Sequence, residues 1–130
     1  MEQSLRERYQ KMDWQHQLGN MASTLARIAN NALVAEHDGT VRLCLREAAC
    51  FIEWLSPTAP PELLLELAAM QRELLSWQQL WPIDAARGIL ALQARHQSDR
   101  ILQIAGYYHL QETAQQAHAA DTADAAGSDG

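Results

Sequence analysis

Apolar residues recurring in alternating steps of four and three run through most of this chain, and that spacing decides what it can fold into. Trp14, Leu18, Met21, Leu25, Ile28, Ala32 and Ala35 fall on a single stripe of an α-helix, because positions three and four apart return to the same face. Leu63, Leu67, Met70, Leu74, Trp77 and Trp81 repeat the pattern, widened by Leu64, Ala68 and Leu75. A further stripe holds Ile83, Ala86, Leu90, Ala94, Ile101, Ile104 and Ala105. Between the first two lies a broader apolar side, Val41, Cys44, Leu45, Ala48, Phe51, Ile52 and Leu55, wide enough to face more than one neighbour, with Arg42, Arg46 and Glu53 opposite. Strand-like alternation between hairpin turns is missing, as is any repeat with a period of roughly 20–50 residues.

The breaks between stripes are short and carry recognisable turn chemistry. Asp13 is placed to cap the first long helix. In Glu36-His37-Asp38-Gly39-Thr40, Gly39 is expected to take a left-handed conformation and Thr40 to cap the second helix. Ser56-Pro57-Thr58-Ala59-Pro60-Pro61 must stop that helix, since each proline lacks an amide donor and restricts the residue before it, and Pro61 opens the third. Glu62 and Glu66 suit the positive end of that helix. Pro82 forces a corner, and the fourth helix runs to about Gly106, with Arg95 and Asp99 spaced to pair outside it. Short connections make consecutive helices antiparallel neighbours, so the fold class is all-α, an antiparallel bundle of about four helices over residues 13–109.

Two segments flank that bundle. In residues 1–12, Leu5, Tyr9 and Met12 form a short helical stripe out of phase with the one that begins at Trp14, which marks a separate segment packing elsewhere on the bundle or on a partner. Residues 110–130 hold hardly any large apolar side chain after Leu110 and four acids from Glu112 onward: Glu112, Asp121, Asp124 and Asp129. Such a stretch cannot offset its ordering entropy by burial, so a disordered or at best transiently helical acidic tail is expected.

At 130 residues the chain has the size of one domain, able to bury a core without disulfides or metals. Its longest apolar run is far shorter than the ~18 residues of a membrane span. Met1-Glu2-Gln3-Ser4-Leu5-Arg6-Glu7-Arg8 is charged and has no apolar h-region, so the expected address is cytoplasmic. Cys44 and Cys50 point in different directions with a rise of roughly 9 Å between them, too far for a disulfide, and read as small core hydrophobes. Ten basic against sixteen acidic residues give a net charge of −6. Nine of the cations are arginines, scattered rather than gathered on one face, which argues against nucleic acid as a partner.

The chain offers no signature of catalysis or of a bound group. Di-iron bundles need inward Glu-x-x-His pairs, and none occurs. His16, His37, His96, His109 and His118 are dispersed, and adjacent residues such as Glu36-His37-Asp38 rarely converge on one ion. No Gly-x-Ser-x-Gly elbow, phosphate-cradling glycine loop or Cys-x-x-Cys is present. No enzyme, no metal and no cofactor are therefore expected.

What stands out is apolar surface in excess of a core. Leu43, Cys50 and Trp54 project on a mixed flank of the second helix beside Glu47, while the other three tryptophans, Trp14, Trp77 and Trp81, sit on core stripes. Tryptophan is enriched at interaction hot spots. Leu5, Tyr9, Met12, Leu43, Cys50 and Trp54 are accordingly the expected partner-binding residues of an interaction module, with a homodimer as one form of it. The competing class is a small-molecule or tetrapyrrole-binding bundle, in which the buried amide of Gln97 and the His96 imidazole border a cavity lined by Trp77 and Ile101.

The string Gln17-Leu18-Gly19-Asn20-Met21-Ala22-Ser23-Thr24-Leu25-Ala26-Arg27-Ile28, with Leu45-Arg46-Glu47 and Phe51-Ile52-Glu53-Trp54, resembles small helical proteins of unassigned function encoded in cyanobacterial genomes. The similarity covers about Trp14 to Gly106. It implies a bacterial cytoplasmic protein of regulatory type and carries over no catalytic or binding residue.

Overall fold

In the computed structural model, the backbone of residues 2–128 and the side chains of residues 4–123 are described. Five α-helices follow one another: α1 (Glu2–Lys11), α2 (Trp14–Asn31), α3 (Asp38–Leu55), α4 (Leu64–Leu80) and α5 (Arg87–Ser128), with one 3₁₀ turn in each of the α2–α3 and α4–α5 connections and two between α3 and α4. Asp13 caps α2 as expected, its Oδ1 accepting the backbone N–H of His16 at 2.8 Å. The four long helices form a ring in the order α2, α3, α4, α5, each antiparallel to its neighbours, and α1 lies outside on α3.

Polar cross-ties record the antiparallel pairing of α2 and α5. Ser98 Oγ donates to the Ala22 carbonyl at 2.8 Å within the core, Arg95 donates to Asn30 Oδ1 at 2.5 Å, and Gln15 near the start of α2 reaches Glu112 at 2.8 Å. Small side chains at this seam, Ala22, Ala94 and Ser98, let the two backbones approach closely. Leu18, Met21, Leu25 and Ile28 of α2 meet Val41, Leu45, Ala48, Ile52 and Leu55 of α3 and Leu67 and Leu74 of α4 in one buried cluster. Burying each large aliphatic side chain contributes roughly 1.5–3 kcal/mol, so this cluster supplies the main driving force for the fold.

Several local expectations are corrected. The α2–α3 connection uses neither a left-handed Gly39 nor a Thr40 cap, because α3 already begins at Asp38 and no described glycine has positive φ. The reason is tertiary. Arg87 donates to both oxygens of the Asp38 carboxylate, at 2.7 and 3.0 Å, and to the Ala32 carbonyl at 3.1 Å, and it lies over the Trp81 ring. That corner ties both connections at one end of the bundle, and the Arg87 hydrogen bonds hold the Asp38 carboxyl below the usual carboxylate range. Pro61 opens a 3₁₀ turn rather than α4 itself, and a second 3₁₀ turn at Asp84–Ala86 delays α5 to Arg87. Arg95 reaches across to Asn30 of α2 rather than along its own helix to Asp99.

The core ends where the sequence indicated, since no described side chain beyond Ile104 is buried. The backbone does not stop there: α5 continues as helix through Ser128, with side chains 109–123 all exposed. The acids Glu112 and Asp121 lie on this projecting portion; the side chain of Asp124 and all of Asp129 are outside the described residues. No helix of the described residues is long and apolar enough to cross a membrane.

Candidate functional site

Leu43, Glu47, Cys50 and Trp54 recur along α3 in steps of four and three and so share one face, with Arg46, one turn from Leu43 and from Cys50, at its edge. That face is the mixed flank of the helix, and at Glu47 it meets α2, where Thr24 Oγ1 donates to Glu47 Oε1 at 3.5 Å. α1 lies alongside it and brings Leu5 and Arg8, one turn apart, to its edge. Together these residues line a groove of about 420 Å³. Four of the six residues singled out from the sequence, Leu5, Leu43, Cys50 and Trp54, are thus brought to one place by two helices far apart in the chain. Leu43 stands at the rim, 62% exposed, whereas Trp54 is only 8% exposed and forms the floor. Arg8, Arg46 and Glu47 set the charge around the opening.

Tyr9 and Met12 are placed differently. Tyr9, 1% exposed, is a core residue rather than a surface one. Its ring stacks on Phe51 with centroids 4.2 Å apart and planes within 1°, and lies 5.9 Å from the Trp54 ring. Its hydroxyl donates to the Gln17 carbonyl at 2.9 Å, and Gln17 Nε2 donates back to the Tyr9 carbonyl at 2.9 Å. Burial pushes the Tyr9 phenol far above its usual range. The out-of-phase segment therefore packs on its own bundle: Tyr9 is the bolt that holds α1 down, and Trp54 is buried because α1 covers it. Met12, just past the end of α1, is not in that groove: its sulfur accepts from Asn20 Nδ2 at 3.0 Å, and it borders a neighbouring hollow of about 280 Å³ that Leu5, Arg8 and Glu47 also line.

The residues proposed for a ligand cavity diverge as well. Ile101 is wholly buried in the core. His96 and Gln97 line a surface groove of about 470 Å³ between α4 and α5, and Trp77 lines an adjoining one nearer the Pro82 corner. Gln97 donates to Glu73 Oε2 at 3.1 Å, so the amide ties two helices together. Glu62 and Glu66 do more than favour a helix start. Tyr108 Oη donates to Glu62 at 2.5 Å, and Arg100 grips both oxygens of Glu66 at 2.6 and 3.1 Å; these bonds hold the two carboxyls below their usual range. Among the described residues no group of His, Cys, Asp and Glu is arranged to hold a metal ion.

Glu47 lines the groove on the flank where the sequence placed it, whereas Arg46 is a correction: it lines the same groove beside Leu43 and Cys50 rather than standing on the opposite side with Arg42 and Glu53. Arg8 carried no signal beyond its i,i+3 spacing from Leu5. Ile89 and Leu92, more than half exposed on α5, lie opposite its core stripe, a signal present in their i,i+3 spacing. Compared with known proteins, the chain matches no family model, no curated protein and no solved structure.

Proposed function

We propose that this chain is a non-enzymatic interaction module whose protein partner seats an apolar side chain in the groove between α1 and α3. The observation that carries this reading is the convergence of Leu5, Leu43, Cys50 and Trp54 on one opening, with the rim residue Leu43 left 62% exposed. A pocket floored by tryptophan and rimmed by arginine has the composition of an interaction hot spot. The alternative of a cofactor-binding bundle has less support, because the Gln97 amide is already engaged by Glu73 and the His96 groove is open to the surface.

Comparative affinity capture from the native host tests the proposal. The wild-type chain and Leu102→Glu, altered at an exposed position on a different helix, should retain the same protein, and Leu43→Glu should lose it. Equal capture by all three, with the fold intact by circular dichroism, refutes the assignment of the groove.

A further inference from the structure

The hollow of about 280 Å³ that Met12 borders lies where α1, α2 and α3 meet, and the charges lining it do not cancel. Thr24 and Arg27, one turn apart on α2, share a face with Ser23 beside them, while Arg8 comes from α1 and Glu47 from α3. Burial pushes the Cys44 thiol up, and Arg27 and Glu47 act on it in opposite directions, which places both charges at the α2–α3 seam. Among the described residues neither Arg8 nor Arg27 is ion-paired with a carboxylate, and the Glu47 carboxylate accepts only the long bond from Thr24. Whichever arginine Glu47 turns toward, the other is left over. The lining therefore carries one positive charge in excess, within a chain of net charge −6.

That lining specifies a ligand group by group. A guanidinium is matched best by a carboxylate or phosphate, through charge-assisted bonds. A plain dianion, however, meets the repulsion of Glu47, whereas a ligand that also carries an ammonium turns that carboxylate into a partner. The stacked rings of Tyr9 and Phe51, both buried, give the hollow an apolar floor suited to a short methylene chain, and the Ser23 side chain stands exposed at the mouth as a further donor. The volume lies just under the ~300–1,000 Å³ of pockets that take drug-sized ligands, so it suits a small metabolite rather than a cofactor. A molecule with two carboxylates, one ammonium and a short aliphatic linker meets each of these groups, and its single net negative charge offsets the excess.

We infer that this hollow binds an acidic α-amino acid, its two carboxylates to Arg8 and Arg27 and its ammonium to Glu47. Such a ligand bridges α1 to α2 and adds to the hold that Tyr9 and Leu5 have on α1. The hollow borders the α1–α3 groove at Leu5, Arg8 and Glu47, but Leu43 and Trp54 line the groove alone, so either assignment can fail without the other.

Chemical-shift titration of the isotope-labelled full chain with L-glutamate and L-aspartate, up to about 20 mM, tests it. At least one of the two should give saturable shifts at residues 20–27 and 47–51, with a dissociation constant of about 1 mM or tighter, and should slow hydrogen exchange of residues 4–11. Arg8→Gln and Arg27→Gln, both at exposed positions, should each weaken binding about tenfold through the loss of one charge-assisted bond. Arg6→Gln, exposed on α1 outside the hollow, and Leu43→Glu, in the groove, should bind as the wild type does. Glutarate, which lacks the ammonium, and L-glutamine, which lacks one carboxylate, should bind about tenfold more weakly than L-glutamate. No saturable shift with either amino acid overturns the inference, as does a loss in Arg6→Gln equal to that in Arg8→Gln. Glutarate or inorganic phosphate binding as tightly as L-glutamate removes Glu47 from the site and overturns the ligand class.

Discussion

Replacing Tyr9 by alanine should release α1 from the bundle without unfolding the rest. The ring is 1% exposed and stacked on Phe51, and removing a buried aromatic side chain of this kind costs about 3–5 kcal/mol. The hydroxyl's hydrogen bond to the Gln17 carbonyl contributes about 1 kcal/mol more, whereas the Gln17 amide bonds the residue 9 backbone carbonyl, which alanine keeps. α1 is ten residues long, too short to hold its helix alone in water, and its other apolar anchor on the bundle, Leu5, is only half-buried. The alanine substitution therefore removes more than the docking of α1 has in reserve. Hydrogen exchange read by mass spectrometry should show residues 4–11 losing protection in Tyr9→Ala while α2, α3 and the core part of α5 keep theirs, and Trp54 emission should shift to the red as its cover leaves. Tyr9→Phe keeps the stack and loses only the hydroxyl, costing about 1 kcal/mol, or roughly 3–5 °C in Tm. Burial raises the Tyr9 pKa, so its stabilisation is fully present below the ordinary value of about 10 and is lost at higher pH, where the unfolded chain ionises first. Tyr9→Phe should flatten that alkaline decline. Wild-type protection of residues 4–11 in Tyr9→Ala refutes the reasoning.

The remaining predictions concern the core, the corner and the projecting helix. Leu45→Ala, at a fully buried site, should lower unfolding free energy by about 2–5 kcal/mol, whereas Leu65→Ala, 85% exposed one helix away, should change it by less than ~0.5 kcal/mol in urea titrations; similar effects at the two sites contradict the helix phases. The Asp38 carboxyl is held below its ordinary value chiefly by the Arg87 hydrogen bonds, so the stability it adds is present above about pH 4 and is lost as pH falls through the depressed value. Asp38→Asn should be less stable at neutral pH and show a shallower acid limb; an unchanged acid limb contradicts the assignment. Deleting residues 111–130 should leave thermal unfolding within ~0.5 kcal/mol of the full chain, since no described side chain there is buried, and a larger loss shows that the projecting part of α5 is anchored.

Where local periodicity decides structure, the sequence was readable. Leu18, Met21, Leu25 and Ile28 are all buried on the face their spacing defined, and Asp13 caps the helix it precedes. What it hid depends on residues distant in the chain. Asp38 opens α3 because Arg87, 49 positions on, holds its carboxylate, and nothing in the Glu36–Thr40 turn announces that. The tryptophans sorted differently from their stripes for the same reason: Trp54 is buried under α1, while Trp14 and Trp77, both on core stripes, stay half-exposed near bundle ends. Helical phase says which residues share a face, and not how far apart two faces stand; the width of the α4–α5 gap was beyond its reach. For the candidate site, phase grouped Leu43, Cys50 and Trp54 correctly, but only the docked α1 shows that Leu5 completes the groove and that Tyr9 lies beneath it.

The central claim, that a partner covers the groove between α1 and α3, is tested most directly at Cys50. Its thiol lines the groove and is half-buried, while Cys44 is fully buried in the core and serves as an internal control. Alkylation with a maleimide, followed by peptide mass analysis, should modify Cys50 and spare Cys44 in the purified chain. The captured partner should slow the reaction at Cys50, and a chain already alkylated there should no longer capture it. A partner that binds the alkylated chain equally well and leaves the Cys50 rate unchanged contradicts the account.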